Sequence, residues 1–281
     1  MEREIVTILD TTLRDGLRNS GVTMTLEEKL RVARWLEEIG AGVIEAGFGG
    51  PRQIESMRQI ATAVSAPIVT GISRVNLKDV RRVIEAVKAA RRPGINIFVP
   101  TSDAFLGKID GARERALDSA ITAIRYAKDY LEYVEFSVQD ATRSDRGFLV
   151  TVFSAAIEAG ASVLGVADTV GHALPEEFGA LLRHLRETVP RGKDVIWSVH
   201  CHNELGLAVA NSLAAIAGGA RQVECTIDGI GERAGNTPMQ SVVRALHERA
   251  DAFATVKPGV RFAQVAAAAK LLPAIIAGDR S

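Results

Sequence analysis

Val195-Ile196-Trp197-Ser198-Val199-His200-Cys201-His202 is a β-rich run set between the amphipathic segments Glu176–Thr188 and Leu207–Gly218. Its apolar residues run on without helical spacing, which reads as a buried strand. Side chains two apart on a strand face the same way, so His200 and His202 point into one space. Two imidazoles on a rigid strand are what chelation of a divalent ion requires. Two satisfied surface histidines leave the same trace, so a third ligand has to decide.

The same unit recurs along the chain. Candidate strands are Ile5–Asp10, Val43–Phe48, Pro67–Ile72, Ile95–Pro100, Tyr133–Val138, Ser162–Ala167, Val195–His200 and Gln222–Ile227. Helical patterns between them include Leu26–Ile39, Leu77–Ala90 and Arg113–Tyr130, the first with Leu26, Leu30, Ala33, Trp35-Leu36 and Ile39 near helical spacing. Thr25-Leu26-Glu27-Glu28 is a capping box, Pro175-Glu176-Glu177 suits a first turn, and Gly40, Gly160 and Gly218-Gly219 close helices. Strict alternation implies parallel strands with right-handed crossovers, and eight units in about 250 residues fit a (β/α)8 TIM barrel. A doubly wound sheet would carry G-x-G-x-x-G after its first strand, and Asp10–Gly16 does not. The expectation is one TIM-barrel catalytic domain over residues 1–281, with the barrel to about 255 and an extra C-terminal helix over about 261–277.

Bulk properties narrow the function. The 281 residues are 47% hydrophobic, enough for a sizeable core, and 34 basic residues balance 34 acidic ones. Nothing in that balance draws the chain to nucleic acid or anionic lipid. Two cysteines, Cys201 and Cys225, fit a reducing compartment. No apolar run follows Met1-Glu2-Arg3-Glu4 as a signal peptide requires, and Lys270 and Pro273 interrupt the apolar stretch Ala263–Ala277. A cytoplasmic protein with no membrane span is expected.

Barrel chemistry sits at the C-terminal ends of the strands. Those ends read Asp10-Thr11-Thr12-Leu13-Arg14-Asp15-Gly16, Glu45, Thr101-Ser102-Asp103, Gln139-Asp140-Ala141-Thr142-Arg143, Asp168-Thr169, His200-Cys201-His202-Asn203-Glu204 and Asp228–Asn236. The opposite ends carry no such concentration, which points to one polar pocket. Asp15 is the candidate third ligand beside His200 and His202; two histidines and a carboxylate leave positions open for substrate oxygens. Arg14 suits a developing oxyanion. Asp10 and Glu45, within their strands, read as buried acids that orient Arg14 or another partner. Asn236 is either a fourth ligand or a turn residue. Cys201 faces away from the histidines, and His172, His184 and His247 lack a comparable setting.

Together these segments, with Ala167-Asp168-Thr169-Val170-Gly171, Leu205–Asn211 and Gly229-Ile230-Gly231-Glu232-Arg233-Ala234-Gly235-Asn236, resemble the 2-isopropylmalate, homocitrate and citramalate synthases. Their wider superfamily of metal-dependent TIM-barrel enzymes includes 3-hydroxy-3-methylglutaryl-CoA lyase. The resemblance implies a Claisen-type condensation of an acyl-CoA, usually acetyl-CoA, with a 2-oxo acid, giving a 2-hydroxy-dicarboxylate. It implies a divalent ion (Mg, Mn or Zn) on Asp15, His200 and His202 with Asn236 nearby. Arg14, Gln139 and Glu45 fall in the catalytic set, and Thr169, Arg143, Thr101 and Ser137 in the substrate-binding set. Arg143 would suit a second acid group on the substrate, and Gly165 would leave room beside the ketone.

Three departures stand out. The first loop reads Asp15-Gly16-Leu17-Arg18, closer to the lyase's Asp-Gly-Leu-Gln than to the synthases' Asp-Gly-Glu-Gln. Gln139 replaces a synthase carboxylate. The synthases continue beyond the barrel into a helical region that assists catalysis, so a homodimer or a partner subunit supplying that region is expected. The alternatives are a metal-dependent aldolase or 3-hydroxyacyl-CoA lyase, or a barrel subunit active only with a partner chain.

Overall fold

The computed structural model describes residues 3–107 and 109–267. Eight parallel strands alternate with helices around a closed barrel: β1 (Glu4–Asp10), β2 (Val43–Phe48), β3 (Ile68–Arg74), β4 (Pro93–Pro100), β5 (Tyr133–Gln139), β6 (Val163–Asp168), β7 (Ile196–Cys201) and β8 (Gln222–Cys225). Closure comes from β1, which pairs with β8 (Thr7 with Gln222, Leu9 with Glu224) and with β2 (Leu9 with Val43). The helices are α1 (Leu26–Ile39), α2 (Ile54–Ala63), α3 (Leu77–Val87), α4 (Asp103–Leu106), α5 (Ala112–Lys128), α6 (Arg146–Ala159), α7 (Pro175–Thr188), α8 (Ala208–Ala217), α9 (Met239–Glu248) and α10 (Phe262–Ala267). This is the (β/α)8 TIM barrel expected. Among the described residues no helix is long and apolar enough to cross a membrane.

The local signals act as the sequence implies. Thr25 Oγ1 accepts from the Glu28 amide at 3.2 Å and the Glu28 carboxylate accepts from the Thr25 amide at 2.5 Å, which satisfies two orphan donors of α1. At its other end Gly40 takes φ 89°, a left-handed cap that a side chain disfavours. Val32, Ala33, Leu36 and Ile39 are buried, with Leu30 and Trp35 packed at the edge.

Two features depart from expectation. The eighth strand stops at Cys225 instead of running to Ile227, because Thr226 pairs with the loop at Thr237 and Asp228 turns to positive φ within a 3-10 turn. A ninth strand, β9 (Val256–Pro258), absent from the eight expected, pairs with the first half of β1. The C-terminal helix is described over Phe262–Ala267; the rest of its expected span lies outside the described residues.

Outward and inward strand positions differ in kind. Outward side chains are apolar and meet the helices: Phe136 and Trp197 both pack edge-on against Phe153 of α6, with ring centroids 6.3 and 5.2 Å apart. Each fully buried large apolar side chain contributes roughly 1.5–3 kcal/mol, so this outer layer holds the helices to the barrel. The lumen is polar instead of filled by branched apolar side chains. Asn96 Nδ2 on β4 donates to Glu45 on β2, Ser137 Oγ donates to Asn96 Oδ1 at 2.8 Å, and Gln222 Nε2 on β8 reaches Glu135 on β5 at 3.0 Å.

Burial pushes Glu135 up to about 8, with Glu224 adding to the effect. The folded protein therefore holds a proton on Glu135 that the unfolded chain releases near the ordinary value of 4.5. Folding then binds protons between these limits, so this group's contribution to stability falls as pH rises from about 4.5 to about 8. Glu135→Gln is expected to remove that slope: urea midpoints at pH 5, 6.5 and 8 should fall less steeply than in the wild type. Parallel curves would refute the assignment.

Candidate active site

The loop after β1 is wound tightly. The amides of Arg14, Asp15 and Gly16 all donate to the Thr11 carbonyl, and a Cβ on Gly16 would lie 2.5 Å from the Thr12 carbonyl oxygen. Only glycine fits there, and the turn it permits aims Asp15 across the barrel mouth. Thr12 accepts from the Ile227 amide at 2.8 Å and donates to Asp10, anchoring the loop between β1 and the end of β8. Asp10 is thus a loop anchor, its carboxylate taken up by the Thr12 amide and hydroxyl instead of Arg14, and burial pushes it up to about 7.

Asp15 meets the two histidines of the seventh strand. Asp15 Oδ2 lies 3.9 Å from His200 Nε2 and 3.7 Å from His202 Nε2, and the two Nε2 atoms are 3.1 Å apart. An ion with bonds of about 2.1 Å holds neighbouring donors about 3.0–3.4 Å apart, so small adjustments would close this set around one cation. The electronic arrangement agrees. Nδ1 of His202 faces the Gly235 carbonyl at 3.2 Å, and a carbonyl only accepts, so Nδ1 carries the hydrogen and Nε2 a lone pair. Asp15 Oδ2 is buried without a hydrogen-bond partner. The His202 lone pair and the free Asp15 oxygen thus open toward one point, with His200 Nε2 beside them. The three residues therefore fit a divalent ion. Burial, with the neighbouring His200, drives His202 down to about 3, so its ring is neutral and available as a ligand. Burial also opposes charge on His200, but Glu224 and Asp15 outweigh it and raise its value. Burial alone would raise Asp15, but the Arg14 guanidinium and the histidines hold it far below the usual carboxylate range.

Arg14 is buried beside this centre. Its Nε donates to Glu45 and its Nη1 to Asp15, and its Nη2 lies 3.9 Å from Glu224. Thr11 Oγ1 also donates to Glu45, at 2.6 Å. Asn236 is buried, its Nδ2 donating to the Ile230 carbonyl at 3.1 Å and its Oδ1 unpartnered. It pairs with His202 through a backbone bridge, so the glycine-rich loop after β8 is tied to the end of β7.

Above the three donors opens a cavity of about 790 Å³, within the range of small-molecule sites. Its lining includes the polar Arg14, Asp15, His200, His202 and Glu224, the apolar Leu17, Phe48, Ile72, Phe98, Phe105 and Val138, and three further cations, Arg18, Arg74 and Arg233.

Comparison with known proteins places the chain. The HMGL-like family profile matches residues 5–272. The chain belongs to the HMGL-like family. It is 50% identical over 249 residues to the 2-isopropylmalate synthase of Syntrophus aciditrophicus, covering 88% of this chain and 48% of that one. It is 44% identical over 278 residues to that of Dechloromonas aromatica, covering 98% and 54%. The chain thus spans about half the length of the curated relatives it matches. Among solved structures, hydroxymethylglutaryl-CoA lyase from Pseudomonas aeruginosa superposes with a TM-score of 0.78 at 20% identity, covering 99% of this chain and 95% of that one; the likeness is one of fold.

In this HMGL-like barrel the remaining expected residues are distributed unevenly. Gln139, Ser137 and Thr169 line the cavity. Thr169 Oγ1 accepts from the Asp140 amide at 2.8 Å, which leaves its own hydrogen to donate. Arg143 does not line the cavity: its Nε and Nη2 grip Asp140 at 2.8–3.1 Å, because the two lie three positions apart across a 3-10 turn. Thr101 is buried beneath the rim, bonded to Ser144 Oγ at 2.6 Å. Gly165 leaves no open space; a Cβ there would lie 2.2 Å from Ser137 Oγ, so Ser137 fills the gap. Cys201 is buried facing away from the centre, and burial pushes its thiol well above the ordinary range.

The sequence reading missed Glu224, whose Oε2 lies 3.1 Å from His200 Nδ1. A glutamate inside the β-rich run Gln222-Val223-Glu224-Cys225 was the available signal, the same one that marks Glu45. Glu204, Glu232 and Arg233, read among the strand-end residues without a role, form an ion-paired rim with Arg18.

His202→Ala should abolish stoichiometric binding of Zn or Mn, measured by elemental analysis after reconstitution, while far-UV circular dichroism stays unchanged. Full retention of the ion would show that the donor set lies elsewhere.

Proposed function

We propose that this barrel carries the metal-dependent condensation of an acyl-CoA with a 2-oxo acid, as in the 2-isopropylmalate synthases it resembles. The observation that carries the reading is the convergence of Asp15, His200 and His202 under a small-molecule cavity with the buried Arg14 alongside. A divalent ion held there would act as a Lewis acid on the ketone and carboxylate oxygens of the 2-oxo acid. Asn236, through its free Oδ1, is the candidate for a further contact to that ion.

The protein's own groups do the rest. Arg14 is fixed by Glu45 and Asp15, so its charge is already oriented when negative charge builds on the ketone oxygen. Thr169 donates its free hydrogen to the substrate carboxylate, and Ser137 bounds the space beside the ketone. Arg143 and Thr101 act indirectly: Arg143 holds Asp140, whose amide orients Thr169, and Thr101 holds Ser144, which in turn donates to the Asp140 carbonyl. Loss of a proton from the acyl-CoA α-carbon gives an enolate. The enolate attacks the ketone carbon, the alkoxide takes up a proton, and thioester hydrolysis releases CoA. Gln139 lines the path of these transfers but has no proton to exchange in this range.

The cavity favours a 2-oxo acid with an apolar side chain. Leu17, Phe48, Ile72, Phe98, Phe105 and Val138 line it, and Arg143, the cation that suggested an acidic substrate, is engaged by Asp140. Of the arginines in the lining, Arg18 pairs with Glu232, Arg233 with Glu204, and Arg74 lies over the Phe48 ring. A homodimer or a partner subunit, supplying groups beyond the barrel, is part of the same proposal. Carbon–carbon cleavage is the second reading, favoured by Leu17 and the uncharged Gln139 on the cavity wall.

Free thiol is expected when the protein meets acetyl-CoA, a branched 2-oxo acid and Mg, Mn or Zn, alone or with its partner region. Release only with acidic 2-oxo acids would overturn the substrate assignment; cleavage of 3-hydroxy-3-methylglutaryl-CoA without any condensation would favour the lyase. Gln139→Glu should change the rate about tenfold or more with metal content unaltered. Loss of the ion in that variant would contradict the place given to Gln139.

A further inference from the structure

Both metal-facing imidazoles have an acceptor on the ring nitrogen turned away from the ion, but the two acceptors differ. For His202 it is the Gly235 carbonyl, part of the backbone. For His200 the facing group is the carboxylate of Glu224: Oε2 lies 3.1 Å from Nδ1, at ion-pair distance but not aligned as a formed hydrogen bond. Glu224 sits on β8 beside His200 on β7, the two residues being register partners, and it is almost fully buried. It also lies 3.9 Å from Arg14 Nη2. One side chain therefore touches both the imidazole that would hold the ion and the guanidinium that would meet the oxyanion.

We propose that Glu224 is a positioning residue: it accepts the Nδ1 hydrogen of His200, which fixes Nε2 as the donor atom, and its charge keeps Arg14 turned towards the centre. The inference rests on the metal reading above and extends it to a residue outside the ligand set. A ring with a free Nδ1 has two tautomers and can rotate, and each alternative withdraws the lone pair from the ion. A carboxylate on Nδ1 removes both alternatives and makes Nε2 a better donor. Acceptors of this kind typically change metal affinity by ten- to a hundredfold when removed. Glu135 provides the comparison: it is a buried lumen carboxylate whose hydrogen bonds go to Tyr133 and Gln222, away from both histidines.

The test uses the whole chain reconstituted with zinc, comparing wild type, Glu224→Gln, Glu224→Asp and Glu135→Gln. Arg14 keeps its ion pairs with Asp15 and Glu45 when Glu224 becomes glutamine, so Glu224→Gln is expected to fold, with far-UV circular dichroism as the check. Chelator competition should show Glu224→Gln binding zinc ten- to a hundredfold more weakly, Glu224→Asp in between, and Glu135→Gln like the wild type. Imidazole ¹⁵N spectra of the zinc-loaded wild type should show two histidines metallated at Nε2 with hydrogen on Nδ1. Glu224→Gln should shift one Nδ1–H signal strongly and leave the other in place. Wild-type protein that binds no zinc would sink the metal reading itself. Tight binding in Glu224→Gln with both signals unmoved would overturn only the role of Glu224, as would an equal loss in Glu135→Gln.

Discussion

A buried guanidinium is the constraint on which the functional end of this barrel depends. Arg14 leaves water almost completely and is surrounded by Asp15, Glu45 and Glu224, from the first loop and two separate strands. Transfer of such charges into a protein interior is costly, and each is tolerable only because the others are there. Burial raises Glu45, while Arg14 and Thr11 work to keep it ionised. Burial likewise opposes charge on Arg14 itself, and the three carboxylates more than reverse that. Removal of one partner from a buried ionic set typically costs about 3–5 kcal/mol, so the cluster holds its geometry far more strictly than a surface ion pair.

That cluster is affordable because the barrel separates its tasks between two faces of the same strands. Outward positions are apolar and bind the helices, as the Phe136–Phe153–Trp197 contacts illustrate. Inward positions are freed from packing duty and carry Glu45, Asn96, Glu135, Ser137 and Glu224, joined by hydrogen bonds across the lumen. The frame is rigid where chemistry needs rigidity: His200 and His202 are set by strand register, and Asp15 by a turn that only Gly16 permits. Donors placed on strands and a tight turn hold their separations more precisely than donors on long loops.

Much of this is legible one-dimensionally. Strand–helix alternation and capping signals such as Thr25–Glu28 depend on residues within a few positions of one another, and they announce a barrel without further information. His200-Cys201-His202 announces a shared face for the same reason. The motif that names Asp15 and Arg14 is also contiguous. The reading fails where residues distant in the chain decide the outcome. Glu224 gains its meaning only from the pairing of β8 with β7, and Gly165 only from Ser137 on the neighbouring strand. Arg143 shows a different limit: an arginine near a strand end suits a substrate carboxylate, but Asp140 in the same turn takes its fork first.

The order of residues thus determined the number and type of elements, the family, and the identity of Asp15, His200 and His202 as candidates, because periodicity and short motifs are local properties of the chain. Tertiary structure decided which donors converge, where β8 ends, that β9 joins β1, and which polar groups face the cavity. Those outcomes follow from strand register and barrel closure, which bring together groups more than two hundred residues apart, as the Thr12 hydroxyl and the Ile227 amide are. No local pattern encodes such a distance.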